Sequence, residues 1–193
     1  MKRLRFAGLC WLLSASLILL ASCAPPPSDL VVYSARTESL IKPLFDRYTQ
    51  ETGQKIQLIT DDAGPLIQRL DAEGKNSPAD LLITVDAGVL WHAAQLGVLR
   101  PVESAILDAN IPEHLRDPQK RWFALSVRAR TIVYSTERVK PEELSTYELL
   151  TEEKWRGRLC LRTSKSVYNQ SLVAMLIAQH GEEKTEQIVR GWV

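Results

Sequence analysis

Asn76-Ser77-Pro78-Ala79-Asp80-Leu81-Leu82-Ile83-Thr84-Val85-Asp86-Ala87-Gly88 decides the fold. A turn opens onto an apolar run, residues 79–85, which stops at Asp86-Ala87-Gly88. Short apolar runs bounded by turn residues read as strands covered on both faces. A helix through Leu96 follows, and Gly97 stops it. Upstream, residues 66–73 form a short helix with Leu66, Ile67 and Leu70 inward. Before it lie the turn Asp61-Asp62-Ala63-Gly64-Pro65 and a strand over 55–60 carrying Ile56, Leu58 and Ile59. Gly53 ends a helix in which Leu40, Ile41, Leu44, Phe45 and Tyr48 recur at helical spacing. Thr37 caps that helix and Glu38 sits in its first turn. Leu30-Val31-Val32-Tyr33 is the first strand. The order β-α-β-α-β-α with short turns predicts an α/β fold with a parallel sheet and helices on both faces. Ligands of such sheets sit beyond the carboxyl ends of the strands. That directs attention to the loops 34–38, 61–64 and 86–88.

Downstream, residues 100–121 are a polar, proline-bearing connection. Residues 122–135 read as extended chain through Phe123, Leu125, Val127 and Thr131-Ile132-Val133-Tyr134. The length of this stretch suits a crossing between two lobes. The expected organisation is a first lobe over 30–124, a crossing strand over 125–135 and the start of a second lobe over 136–193. Residues 141–150 are helix-like. Leu159-Cys160-Leu161-Arg162 is a strand that buries Cys160 as a small hydrophobe. Thr163-Ser164-Lys165-Ser166 is a polar loop, and 167–179 a helix with Leu172, Val173, Leu176 and Ile177 inward. A further helix begins at Glu182. A three-layer lobe needs several strands to cover such helix faces. The second lobe is therefore expected to be incomplete in this chain.

Lys2, Arg3 and Arg5 precede an uncharged apolar run that ends Leu20-Ala21-Ser22-Cys23. This resembles a bacterial lipobox, with residues 1–22 a lipoprotein signal peptide and Cys23 the lipidated residue. Ala24-Pro25-Pro26-Pro27-Ser28 makes 23–29 a stiff tether that holds a domain off a bilayer. An ordinary signal peptide with an incidental cysteine is the alternative. Without Lys2, Arg3 and Arg5 the 24 basic residues fall to 21 against 23 acidic ones, a net charge of about −2. That balance gives no argument for nucleic acid. With Cys10 removed and Cys23 acylated, Cys160 has no internal disulfide partner. His92, His114 and His180 share no metal spacing, and neither a phosphate loop nor a nucleophile motif is present. An enzyme has little support.

Six segments together resemble the ferric-iron-binding proteins of ABC importers, closest to the tyrosine-rich, cyanobacterial-type branch. They are Val32-Tyr33-Ser34-Ala35-Arg36, Asn76-Ser77-Pro78-Ala79-Asp80, Leu82-Ile83-Thr84-Val85-Asp86-Ala87-Gly88, Ala124-Leu125-Ser126-Val127-Arg128-Ala129-Arg130, Lys154-Trp155-Arg156-Gly157-Arg158 and Val167-Tyr168-Asn169-Gln170-Ser171-Leu172. The resemblance implies a periplasmic-binding-protein-like (type 2) fold of two three-layer lobes with solute gripped between them. It implies a periplasmic, lipid-anchored receptor that carries Fe(III) as cargo to an importer permease. Fe(III) is a hard cation suited to anionic oxygen donors. A free phenol ionises near pH ~10, and a nearby metal charge favours ionisation.

The family's tyrosine in Val-Tyr-Asn-Gln-Ser matches Tyr168, and the resemblance implies that Tyr168 is a metal ligand. The usual His-Tyr after the first strand reads Thr37-Glu38 here, and the resemblance offers Glu38 as a substitute ligand. Each candidate also has a plainer reading. Tyr168 is otherwise a packing aromatic, and Glu38 a first-turn helix acid. Ser164 and Ser166 either hold an anion at a helix start or cap it. Arg128 and Arg130, two apart, either line the cleft with Arg36 and Thr37 or form a solvated face. Asp86 is a cleft residue or a helix cap. Two functional rivals stand beside iron capture: binding of another solute, anion or metal complex, and a membrane-tethered protein with no transport role.

Overall fold

The computed structural model describes residues 29–193, so the expected signal peptide, the expected lipidation at Cys23 and all but the last residue of the expected tether lie outside the described residues. The described chain forms two compact units, one of residues 29–62 and 76–83, the other of 63–75 and 84–193.

The first unit holds the sheet. Its strands are β1 (Leu30–Ser34), β2 (Ile56–Thr60) and β3 (Leu81–Ile83), in the order β2-β1-β3. Both pairings are parallel, with Tyr33 opposite Ile59 on one side and Leu82 on the other. The central strand is the most hidden: Val32, Tyr33 and Ser34 have no exposed surface. Parallel neighbours require a crossover, and α1 (Glu38–Thr52) supplies it between β1 and β2. Gly53 ends α1 with φ 74°, its N–H donating to the Thr49 carbonyl at 2.8 Å. This is the left-handed C-cap that glycine adopts without strain. Two expectations are corrected here. The Thr37 side chain makes no capping hydrogen bond. In α1 only Ile41 is buried, while Leu40, Leu44 and Tyr48 are exposed. The helical period is real, but the buried stripe is narrower than the apolar one. β3 is also shorter than its apolar run, and Leu81 is 47% exposed.

The second unit is helical. It contains α2 (Ala63–Glu73), α3 (Ala87–Gln95), α4 (Ala105–Asn110), α5 (Val167–His180) and α6 (Glu182–Gly191). Leu66, Ile67 and Leu70 of α2 are buried, as the spacing predicts. The connection after α3 is held by an ion pair and its hydrogen bonds. Asp117 is almost wholly buried and receives Nε and Nη2 of Arg121 at 2.6 and 3.0 Å. Arg121 also donates to the Ala94 carbonyl at 3.2 Å, which ties the connection to α3. The Arg121 guanidinium holds the Asp117 carboxyl below its ordinary value against the opposing effect of burial. Further along, α5 and α6 pack with Leu176, Thr185 and Ile188 buried. The end of α6 abuts the turn Glu148–Thr151 so closely that a Cβ at Gly191 would lie 2.7 Å from Thr151 Cγ2.

The stretch between these parts overturns three expectations. No ladder forms over residues 125–135; Arg116 and Phe123 make an isolated antiparallel bridge just before it. Leu125, Val127 and Val133 are 78, 71 and 87% exposed. A β-rich composition yields a strand only where a neighbour completes the hydrogen bonds, and the described residues offer none there. For the same reason Leu159-Cys160-Leu161-Arg162 is not a strand, and Cys160 is an exposed free thiol. Residues 141–150 form short 3-10 turns, Pro141–Glu143 and Glu148–Thr151, rather than a helix. In α5, Leu176 is buried and Ile177 is 38% exposed.

Candidate functional site

Tyr168 is the second residue of α5, half-buried at the start of the helix. Its hydroxyl accepts from Arg128 Nη1 at 3.2 Å. Three guanidinium groups face its ring: Arg130 at 4.1 Å from the ring centroid, Arg162 at 5.0 Å and Arg128 at 5.1 Å. A cation over a phenol face is worth about 0.5–1 kcal/mol at exposed sites. Neither Arg128 nor Arg130 lies in a strand, yet both reach the same ring, and Arg128 also binds its hydroxyl. Arg162 joins them from the loop before α5, and sequence reasoning missed it. It ends a stretch that reads as a strand, and nothing in its neighbours marks it as part of a cluster.

The second nitrogen of Arg128, Nη2, donates to the Val85 carbonyl at 3.1 Å. Next along the chain, Asp86 caps α3: its Oδ1 accepts from the Gly88 N–H at 2.8 Å. Its other oxygen, Oδ2, accepts from the Ser171 hydroxyl at 2.5 Å. Asp86 therefore both caps and joins the cluster. Ser171 was visible only as a member of the Val-Tyr-Asn-Gln-Ser segment. A groove of about 380 Å³ lies alongside, lined by Gly64, Ile67, Asp86, His92, Gln170 and Ser171 among others.

Ser164 and Ser166 precede α5. Ser166 stands at the N-cap, but its side chain makes no capping bond; its carbonyl accepts from Asn169 and Gln170 N–H instead. The Ser164 carbonyl accepts from Gln170 Nε2 at 3.1 Å. The Ser166 hydroxyl therefore does not take the capping role that was one of its two readings.

Arg36, Thr37 and Glu38 belong to the first unit. The Arg36 N–H donates to Ser34 Oγ at 3.1 Å, which shapes the loop after β1. Glu38 is exposed in the first turn of α1, and among the described residues its carboxylate has no hydrogen-bond or ion-pair partner. No group of three or more His, Cys, Asp or Glu placed to hold a metal occurs among the described residues.

The geometry can be set beside known proteins. The family described as bacterial extracellular solute-binding protein matches residues 76–193, more than half of the chain. The chain belongs to that family. It is 45% identical over 186 residues to iron uptake protein A1 of Synechocystis sp., covering 91% of this chain and 52% of that protein. It is 28% identical over 177 residues to an Fe(3+)-binding periplasmic protein of Serratia marcescens, covering 90% and 52%. Among solved structures, a Trichodesmium protein (IdiA, FutA) in complex with iron and citrate ligands superposes with a TM-score of 0.78 at 45% identity, covering 86% of this chain and 52% of that one. A ferric binding protein from Campylobacter jejuni does so with a TM-score of 0.81 at 36% identity, covering 85% and 52%. The periplasmic-binding-protein-like α/β fold expected from the sequence is thereby shown. The chain spans about half the length of the curated relatives it matches.

Proposed function

We propose that this chain is the extracytoplasmic capture component of an ABC iron importer, which binds ferric iron, closes on it and delivers it to the permease. Tyr168 supplies an oxygen donor, and lipid on Cys23 holds the protein at the membrane. Membership of a solute-binding family supports capture rather than chemistry, and the iron-named relatives support the cargo. The observation that carries the reading is Tyr168 itself, in a segment like that of the family and with its hydroxyl held by Arg128. An oxygen donor fixed in place before the metal arrives loses less freedom on binding.

The three guanidinium groups favour a second, narrower reading: the iron arrives as an anionic complex, or with an anion beside it. A bare trivalent cation would be repelled by Arg128, Arg130 and Arg162, whereas an anionic complex would be drawn in. Titration of the chain with ferric nitrilotriacetate and with ferric citrate tests both readings. A phenolate-to-iron absorption band that Tyr168→Phe removes is the expected result. Equal uptake by Tyr168→Phe and wild type contradicts the assignment of the ligand. Citrate binding without iron would point to the anion as the solute.

A further inference from the structure

Tyr168 is held by a closed circuit of contacts, and half of that circuit does not involve its own hydroxyl. From the Val85 carbonyl it passes through Arg128 to the Tyr168 hydroxyl, at 3.1 and 3.2 Å. It continues along α5 to Ser171, three residues on, whose hydroxyl donates to Asp86 Oδ2 at 2.5 Å. Asp86 is the covalent neighbour of Val85, so the circuit returns to where it started.

We propose that Asp86 and Ser171 are positioning residues for Tyr168, fixing the first turns of α5 against the loop that follows β3. The inference rests on the reading of Tyr168 as a ligand, but it makes a claim about the metal-free protein as well. Asp86 suits the task because its carboxylate is already oriented: Oδ1 is committed to the Gly88 N–H at 2.8 Å, and the residue's own carbonyl accepts from Thr84 Oγ1 at 3.1 Å. The carboxylate presents Oδ2 in one direction only. The first turns of α5 need an external hold, since Ser166 gives no side-chain cap. Their other side-chain bonds are local, from Asn169 Nδ2 to the Arg162 carbonyl at 2.5 Å and from Gln170 Nε2 to the Ser164 carbonyl at 3.1 Å. Those join the helix to a loop that is itself exposed. Ser171 joins it to a residue 85 positions away in the chain. A hydrogen bond to a carboxylate is stronger than a neutral one, and groups that orient a metal ligand typically change affinity 10–100-fold when lost.

The test uses the full chain, first without metal. Ser171→Ala removes the bond to Asp86 and leaves the α3 cap intact; Ser171→Thr keeps a hydroxyl and serves as the rescue. The expected result for Ser171→Ala is amide exchange about tenfold faster over residues 168–172, shifted Tyr168 ring resonances and an unchanged Gly88 amide, with Ser171→Thr close to wild type. Unchanged exchange and unchanged Tyr168 resonances in Ser171→Ala overturn the proposal. Titration with ferric nitrilotriacetate then separates it from the ligand assignment. A loss of about tenfold in affinity in Ser171→Ala, restored by Ser171→Thr, supports positioning. If Tyr168→Phe takes up iron as wild type does, the ligand reading fails while the metal-free result still decides the tie between Ser171 and Asp86.

Discussion

Tyr168 and Glu38 both open helices, and the two helix starts have opposite surroundings. Around Tyr168, side chains from positions 128, 130 and 162 converge, and Ser171 on the same helix reaches back to Asp86. Around Glu38 no partner is found among the described residues, and the side chain is exposed. Favourable interaction with the first-turn dipole accounts for a lone carboxylate at that place. It does not account for three cations gathered on a phenol. Like charges brought together on a surface repel one another, which is why the cluster favours the proposed anionic iron complex over a bare cation. The difference teaches that a ligand proposed from sequence gains weight when distant parts of the chain converge on it.

The largest expected effect is at Tyr168. Phenylalanine keeps the ring and the cation-facing surface while removing the oxygen, so ferric affinity should fall on the order of a hundredfold or more with little change in melting temperature, read by titration and calorimetry. Arg128→Ala comes next, because it loosens the hydroxyl and removes one of three positive charges. Affinity for ferric citrate should fall about tenfold and become less sensitive to salt, measured between low and moderate ionic strength. Glu38→Gln should change iron affinity less than about threefold and cost the helix about 0.3–1 kcal/mol, read from urea midpoints. A loss as large as that of Tyr168→Phe would place both helix starts in one site and erase the contrast.

Two further expectations concern the frame around the site. Gly191→Ala forces a methyl group against Thr151 and should destabilise the α6 end by about 1–3 kcal/mol, with faster exchange over 182–192. Asp117 has its carboxyl held below the ordinary value of 3.8 by Arg121. A depressed folded-state value means that its stabilisation is complete above the unfolded value and is lost as pH falls through the folded one. Urea midpoints should therefore be flat from pH 7 to about 5 and fall below about pH 4, and Asp117→Asn should weaken that dependence.

Much of the sheet and its helices was legible because those elements depend on local signals. Gly53 caps α1 with positive φ, Asp86 caps α3, and Leu66, Ile67 and Leu70 turn inward at helical spacing. The misreadings cluster where structure depends on partners. Leu125, Val127, Leu159 and Leu161 look like strand residues, but a strand is defined by its neighbour, and among the described residues none is present. Periodicity also marks an apolar face without showing that it is covered, which is why Leu40 and Leu44 are exposed. At the site, Tyr168, Arg128, Arg130 and Asp86 were all singled out in advance. Arg162 is hidden at the end of a stretch that reads as a strand, and the Ser171–Asp86 bond joins residues 85 positions apart, a separation that leaves no local pattern.

Resonance Raman spectroscopy of the ferric-loaded chain, excited in its visible band, tests the assignment of Tyr168 most directly. Ring modes of an iron-bound tyrosinate are expected in wild type and absent in Tyr168→Phe. Tyrosinate modes of undiminished intensity in Tyr168→Phe, or a ferric complex with no such modes in wild type, would contradict it.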